Sequence, residues 1–259
     1  MCLILLAWRS HPDYPLVVAA NRDEFFERPT APAQFWADKP DILGGRDLSA
    51  GGTWMGITRD GRFAALTNFR EPERQSADAP SRGRLVSDFL AGSMAAPDYL
   101  ASLQPNAAAY NGFNLICGTM TRGLWHFSNR SGPARALAPG IYGLSNHLLD
   151  TPWPKVAQGK SDLARALAAL PAEASLLELL RDESIHADDR LPRTGVSLDW
   201  ERILSAAFVR APNYGTRSST VVLLDNAGTI AFDEQTYLSG AAPAGRTRFR
   251  FSPDWDAPS

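Results

Sequence analysis

Cysteine stands at the second position of the chain, and the charged run Asn21-Arg22-Asp23-Glu24 closes the next apolar stretch. Together they carry the first chemical expectation. Removal of Met1 ahead of a small residue would leave Cys2 with a free α-amine, whose reference pKa of about 7.7 to 8.0 suits a general base near neutrality. Thiol and base then belong to one residue. Arg22 would stabilise a thiolate, and Asp23 would orient the ammonium or hold the arginine. The alternative reading is a buried strand cysteine followed by a solvated charged turn, the ordinary state of a cysteine taken at random.

To bring Cys2 against the cluster the chain needs a hairpin. Apolar residues 3–8 and 16–20 flank Arg9-Ser10-His11-Pro12-Asp13-Tyr14-Pro15, which supplies the turn. A symmetric turn makes Trp8 face Pro15 and Cys2 face Asn21. A second hairpin joins 52–57 to 62–67 through Thr58-Arg59-Asp60-Gly61, whose Asp-Gly pair tolerates positive φ. Residues 81–90 form an amphipathic helix with Ser81 as N-cap, 113–117 and 124–128 a strand pair, and helical spacing follows over 153–170, 174–181 and 198–208. Strands return at 219–224, 229–232 and 247–251, where Arg246, Arg248 and Arg250 share an exposed face. This order, with hairpins and no regular βαβ alternation, predicts an α+β protein with antiparallel sheets. No repeat or linker divides the sequence, so residues 1–259 read as one domain with a loose tail over 252–259.

The bulk properties exclude several classes. Of 259 residues 44% are hydrophobic, enough for a substantial core, and Lys+Arg 26 against Asp+Glu 28 are spread along the chain, which calls for no nucleic acid. The two cysteines, Cys2 and Cys117, make no disulfide framework or metal motif and fit a reducing, cytoplasmic setting. The apolar opening lacks a basic region and a cleavage site, so it reads as a strand rather than a signal peptide, and no stretch approaches the roughly 20 residues of a membrane span. His11, His126, His147 and His186 show no HExxH spacing, and no structural metal is expected.

The segments MCLILLAW, AANRDEFFERPT, GGTWMGI, ALTNF, YNGFNLI, YGLSNHLLDTPWPK and APNYGTRSSTVVLLD, in this order, resemble the NRDE family, also called the transport and Golgi organisation family. The likeness covers essentially the whole chain. It implies an N-terminal-nucleophile hydrolase-like fold, a four-layer αββα sandwich of two antiparallel sheets. A more distant similarity runs to cysteine N-terminal-nucleophile acylases of the choloylglycine hydrolase and penicillin acylase type. By that resemblance Cys2, Arg22 with Asp23, Asn68 in TNF and Asn146 in LSNH match the acylases' site residues. Arg217 is the choice for a last arginine, with Arg202 and Arg210 in the same region. Arg22 and Asp23 are adjacent here rather than separated, which leaves Glu24 as an alternative site carboxylate.

Three further features stay open between site and scaffold. Gly51-Gly52-Thr53-Trp54 either lets backbone approach a ligand with Trp54 as a wall or bends into a strand with Trp54 in the core. Arg217 in Gly215-Thr216-Arg217-Ser218 either binds an anion or satisfies loop carbonyls. His147 adjoins Asn146 and is a candidate for lining the same cleft.

Two functions are expected. One is an amidohydrolase acting on a small amide or acyl compound, with Cys2 attacking a carbonyl, its α-amine moving the proton, and no cofactor required. The other, implied by the family's association with haem mobilisation and with lipid and acyl-CoA homeostasis, is a carrier or chaperone that holds haem, a lipid or acyl-CoA in the same cleft without turnover. A trafficking adaptor finds no linear motif, coiled coil or charged tail in support. Oligomeric state is left open.

Overall fold

A computed structural model describes residues 2–171 and 174–253. Met1, and the part of the expected tail over 254–259, lie outside the described residues. The chain runs β1 (Cys2–Trp8), β2 (Leu16–Phe25), β3 (Thr30–Trp36), β4 (Lys39–Asp47), β5 (Met55–Thr58) and β6 (Arg62–Asn68), then α1 (Gly83–Ala91) and α2 (Ala96–Leu103). Next come β7 (Phe113–Thr119), β8 (Gly123–Ser128), the short β9 (Arg135–Ala136) and β10 (Gly140–Leu144). The helices α3 (Pro154–Leu167), α4 (Ala174–Leu179) and α5 (Leu198–Ile203) lead to β11 (Tyr214–Leu224), β12 (Ile230–Tyr237) and β13 (Pro243–Phe251).

The strands form two antiparallel sheets, ordered β10-β1-β2-β11-β12-β13 and β3-β4-β5-β6-β7-β8-β9. Both faces of β1 and β2 are buried, which is why they read as continuous apolar runs rather than alternating ones. One face, with Ile4, Leu6, Trp8, Val18 and Ala20, packs against Leu43, Met55, Ile57 and Phe63 of the other sheet. The opposite face, with Leu3, Leu5, Ala7, Val17 and Ala19, packs under Val156 and Leu163 of α3 and Leu176 of α4. Beyond the second sheet, Ala64, Leu66, Leu115 and Cys117 meet Leu85, Phe89, Tyr99 and Leu100 of α1 and α2. The layers are therefore helix, sheet, sheet, helix, the αββα sandwich.

The first hairpin differs from the symmetric-turn expectation by one residue. Trp8 pairs with Leu16 and Cys2 with Arg22, while Asn21 faces Leu3. Arg9 adopts a left-handed φ of 47° and donates its N–H to the Pro15 carbonyl at 2.8 Å. Pro15 has no N–H to give a ladder and stays in the connection. A one-residue slip exchanges the faces. Arg22, not Asn21, shares the face of Cys2.

Other boundaries also moved. The Asp60-Gly61 turn forms as expected, with Gly61 at φ 77°. Strands β3 and β4 had no counterpart in the sequence reading, because Pro32, Pro40, Gly44 and Gly45 interrupt their β-propensity. The residue flanking α1 is Arg82, not Ser81, and no side chain caps that helix. The helix expected over 198–208 ends at Ile203, and the Phe208 N–H bonds the Asp182 carbonyl instead. Arg246 and Arg248 do not simply face solvent, since both reach the buried Asp233, at 2.5 and 3.1 Å. No helix among the described residues is long and apolar enough to cross a membrane, and no three His, Cys, Asp or Glu among them are grouped to hold a metal.

Candidate active site

Cys2 opens β1 at one end of the sandwich and is 93% buried, its thiol on the floor of a cleft of about 530 Å³. Burial pushes the thiol's pKa up, opposed in part by the Arg22 guanidinium and by a backbone N–H of Asp23 directed at the sulfur. Arg22, across the ladder from Cys2, donates from Nη1 to Thr30 Oγ1 at 3.4 Å and approaches Glu24 Oε2 at 3.9 Å. Trp54 and Leu66 supply apolar wall, with Tyr237 and Leu238. Trp54 also packs on the core between the sheets, so both readings of this residue hold at once. The preceding Gly52 meets the amino end of α1, where a Cβ would stand 2.5 Å from the Gly83 carbonyl carbon.

The two candidate carboxylates lie in different settings. Glu24 stands at the rim between Arg22 and Arg28. Asp23 is 1% exposed and accepts from Thr216 Oγ1 at 2.8 Å, while Tyr214 Oη donates to its carbonyl at 3.1 Å. Burial raises the Asp23 pKa, and the Lys155 ammonium acts against that rise. Lys155 is itself buried, its Nζ 3.4 Å from the Ala206 carbonyl, and burial pulls its pKa down to about 8. Nearby, the buried pair Arg70–Glu201 closes at 2.7 Å. A charged cluster thus lies behind the sheet end that carries Cys2.

Asn68 ends β6 and lines the cleft, but Asn146 does not. Asn146 is fully buried, donates from Nδ2 to the Asn68 carbonyl at 3.0 Å, and accepts Ser145 Oγ on its Oδ1 at 3.2 Å. Ser145 Oγ also bonds the Cys2 carbonyl at 3.0 Å. Asn146 therefore ties the loop after β10 to the end of β6, joining the two sheets where Cys2 sits.

Two expectations are corrected here. Asn21 points to the helical layer, where Nδ2 donates to the Leu180 and Ala207 carbonyls at 2.8 Å each and Oδ1 accepts from Ser219 Oγ at 2.6 Å. His147 bonds Thr151 Oγ1 at 2.8 Å and stacks between Phe69 and Trp153, lining a separate hollow of about 630 Å³. Among the three arginines, Arg202 pairs with Asp188 and Asp199 and Arg210 with Glu183, away from the cleft. Arg217 does line it, yet its Nη1 holds the Phe25 and Arg28 carbonyls at 2.8 and 3.0 Å.

Arg82, Lys155 and Glu234 were missed. Arg82 and Glu234 line the cleft from distant parts of the chain, a placement no local pattern announces. Lys155 left one signal: a lysine in the first turn of a helix stands against the helix dipole and needs a partner elsewhere.

Two face-to-face antiparallel sheets between helical layers, with Cys2 opening the first strand, form an N-terminal-nucleophile hydrolase-like fold. A Caenorhabditis elegans N-acylethanolamine-hydrolyzing acid amidase ortholog shares this fold, at a TM-score of 0.50 and 10% identity, covering 86% of this chain and 92% of that one. The chain belongs to the Transport and Golgi organisation 2 family, whose sequence model matches residues 1–239. It is 40% identical to the Bos taurus Transport and Golgi organization protein 2 homolog and 38% identical to the Homo sapiens homolog, with 92% of this chain and 94% of each relative covered.

Proposed function

We propose that this chain is an amidohydrolase of the cysteine N-terminal-nucleophile type, acting on a small acyl amide. The observation that carries the reading is Cys2 on the floor of a cleft, with Arg22 across the ladder and Asn68 in the wall. With Met1 removed, the α-amine of Cys2 takes the thiol proton and the sulfur attacks the amide carbon. Asn68 donates to the oxyanion, and Asn146 fixes the main chain that presents it. The C–N bond then breaks, the leaving amine takes the proton, and water hydrolyses the thioester to the free acid.

Assay of the purified protein against a panel of N-acyl amines, beside Cys2→Ala, tests this. Cys2-dependent release of amine is expected; equal release by Cys2→Ala, or none from any amide, would refute it.

Carriage without turnover is the competing reading, and the arginines around the cleft favour it for an anionic cargo such as acyl-CoA. For haem the fit is poorer. The described residues lining the cleft include no histidine, and a thiol held protonated by burial is a weak axial ligand. Tight binding of acyl-CoA by Cys2→Ala, with no turnover by the unaltered protein, would decide for a carrier.

A further inference from the structure

One wall of the cleft is a loop that the rest of the molecule holds lightly. Ser76, Ala77, Ala79, Pro80 and Ser81, between β6 and α1, line the same cavity as Cys2. The stretch Gln75-Ser76-Ala77-Asp78-Ala79-Pro80-Ser81 contains no aromatic or branched apolar side chain, so it has nothing to bury in a core. Residues 75–78 and Pro80 are exposed, while Ala79 and Ser81 are half-buried.

Both ends of this loop are fixed. Ahead of it, Arg130 Nε donates to the two carboxylate oxygens of Glu71 at 2.8 and 2.9 Å. Behind it, Gly83 lies against Gly52, and its carbonyl accepts the Thr53 N–H at 3.3 Å. Between these ends, among the described residues, hydrogen bonds tie the loop to other parts of the chain at one place, the Asn111-Gly112 dipeptide. Asn111 Oδ1 accepts the Ser76 N–H at 2.8 Å, Asn111 Nδ2 donates to the Ser76 carbonyl at 2.9 Å, and Arg82 Nη1 donates to the Gly112 carbonyl at 3.0 Å. The dipeptide itself is braced on the body of the protein, since Asn129 Nδ2 donates to the Asn111 carbonyl at 3.4 Å and the Phe69 N–H to the Gly112 carbonyl at 2.8 Å. The two Ser76 bonds lie in solvent, where water replaces either partner and little net stability remains. Segments with few buried apolar contacts and exposed hydrogen bonds are the ones that open locally while the fold stays intact.

We infer that residues 75–82 are a hinged strap forming one wall of the cleft, latched through the Asn111 side chain, and that release of the latch opens the way to Cys2. The strap serves either reading of the cleft, because a substrate and a carried ligand both have to pass it.

Thiol labelling reads this opening without any turnover, because a buried cysteine reacts when it is uncovered. Cys117, buried beneath α1 and α2 in the same molecule, reports any general loosening. The unaltered protein and Asn111→Ala would be treated with iodoacetamide and with the bulkier N-(1-pyrenyl)maleimide, and the label located by peptide mass spectrometry. Asn111→Ala loses both Ser76 bonds, so labelling of Cys2 by the maleimide should rise about tenfold. Iodoacetamide needs a smaller gap and should gain less. Hydrogen exchange over residues 75–82 should quicken in the variant while β6 and α1 keep their protection. An unchanged rate at Cys2 would overturn the inference, whatever the exchange shows. A rise matched at Cys117, or lost protection in β6 and α1, would also overturn it, because the whole fold and not the strap would then have loosened.

Discussion

Asn146 bonds the end of β6 twice, donating from Nδ2 to the Asn68 carbonyl at 3.0 Å and accepting from the Arg70 N–H at 2.8 Å. The first bond depends on the side chain and the second does not. Asn146→Ala should remove only the first, leaving the half-buried Asn68 carbonyl without that donor at a cost of about 0.5–1.5 kcal/mol. Urea unfolding of the variant measures that loss. Any amidase activity should fall with it, because Asn68 then loses its fixed place in the wall.

The Arg70–Glu201 pair makes a larger demand. Both side chains are about 5% exposed, and Glu201 also accepts from the N–H and hydroxyl of Thr194. Removing one partner of a buried pair typically costs about 3–5 kcal/mol, so Glu201→Ala should unfold at markedly lower urea than the unaltered protein. A change under about 1 kcal/mol would mean that water reaches Arg70.

His126 sets an acid limit on the fold. Its Nε2 is buried without a hydrogen bond, and burial lowers its pKa from 6.5 to about 4. Since the folded pKa is the lower one, the unfolded chain binds the proton first as pH falls. Stability present above pH 6.5 is therefore lost between about 6.5 and 4, by up to about 3 kcal/mol. His126→Gln should flatten that part of the stability profile, read from melting temperatures at pH 7, 5.5 and 4.5.

Asn21 gives a control for the site assignment. Asn21→Ala would strand the Leu180 and Ala207 carbonyls and should destabilise by about 1–3 kcal/mol. Because its side chain faces the helical layer, thiol labelling of Cys2 in the folded variant should keep its unaltered rate.

The fold class and the central strand pair were legible because β1 and β2 are buried on both faces and carry little but apolar residues. The register was not, since it turned on the conformation of Arg9 and the missing N–H of Pro15. That one residue decides whether Asn21 or Arg22 shares the face of Cys2. Asn68 was singled out only through the resemblance, because an asparagine at a strand end looks like any turn residue. Arg82 and Lys155 were hidden for another reason: their neighbours Gly112, Ala206 and Asp23 are distant in sequence, and only the assembled sandwich brings them together.

The central claim is that Cys2, freed of Met1, is the nucleophile. Incubating the protein with an activated decanoyl ester, quenching in acid and weighing the N-terminal peptide by mass spectrometry tests it most directly. The account predicts a peptide that begins at Cys2 and carries one decanoyl group on its sulfur, absent from Cys2→Ala. A quantitatively retained Met1, or a decanoyl group found only on other residues, would contradict it.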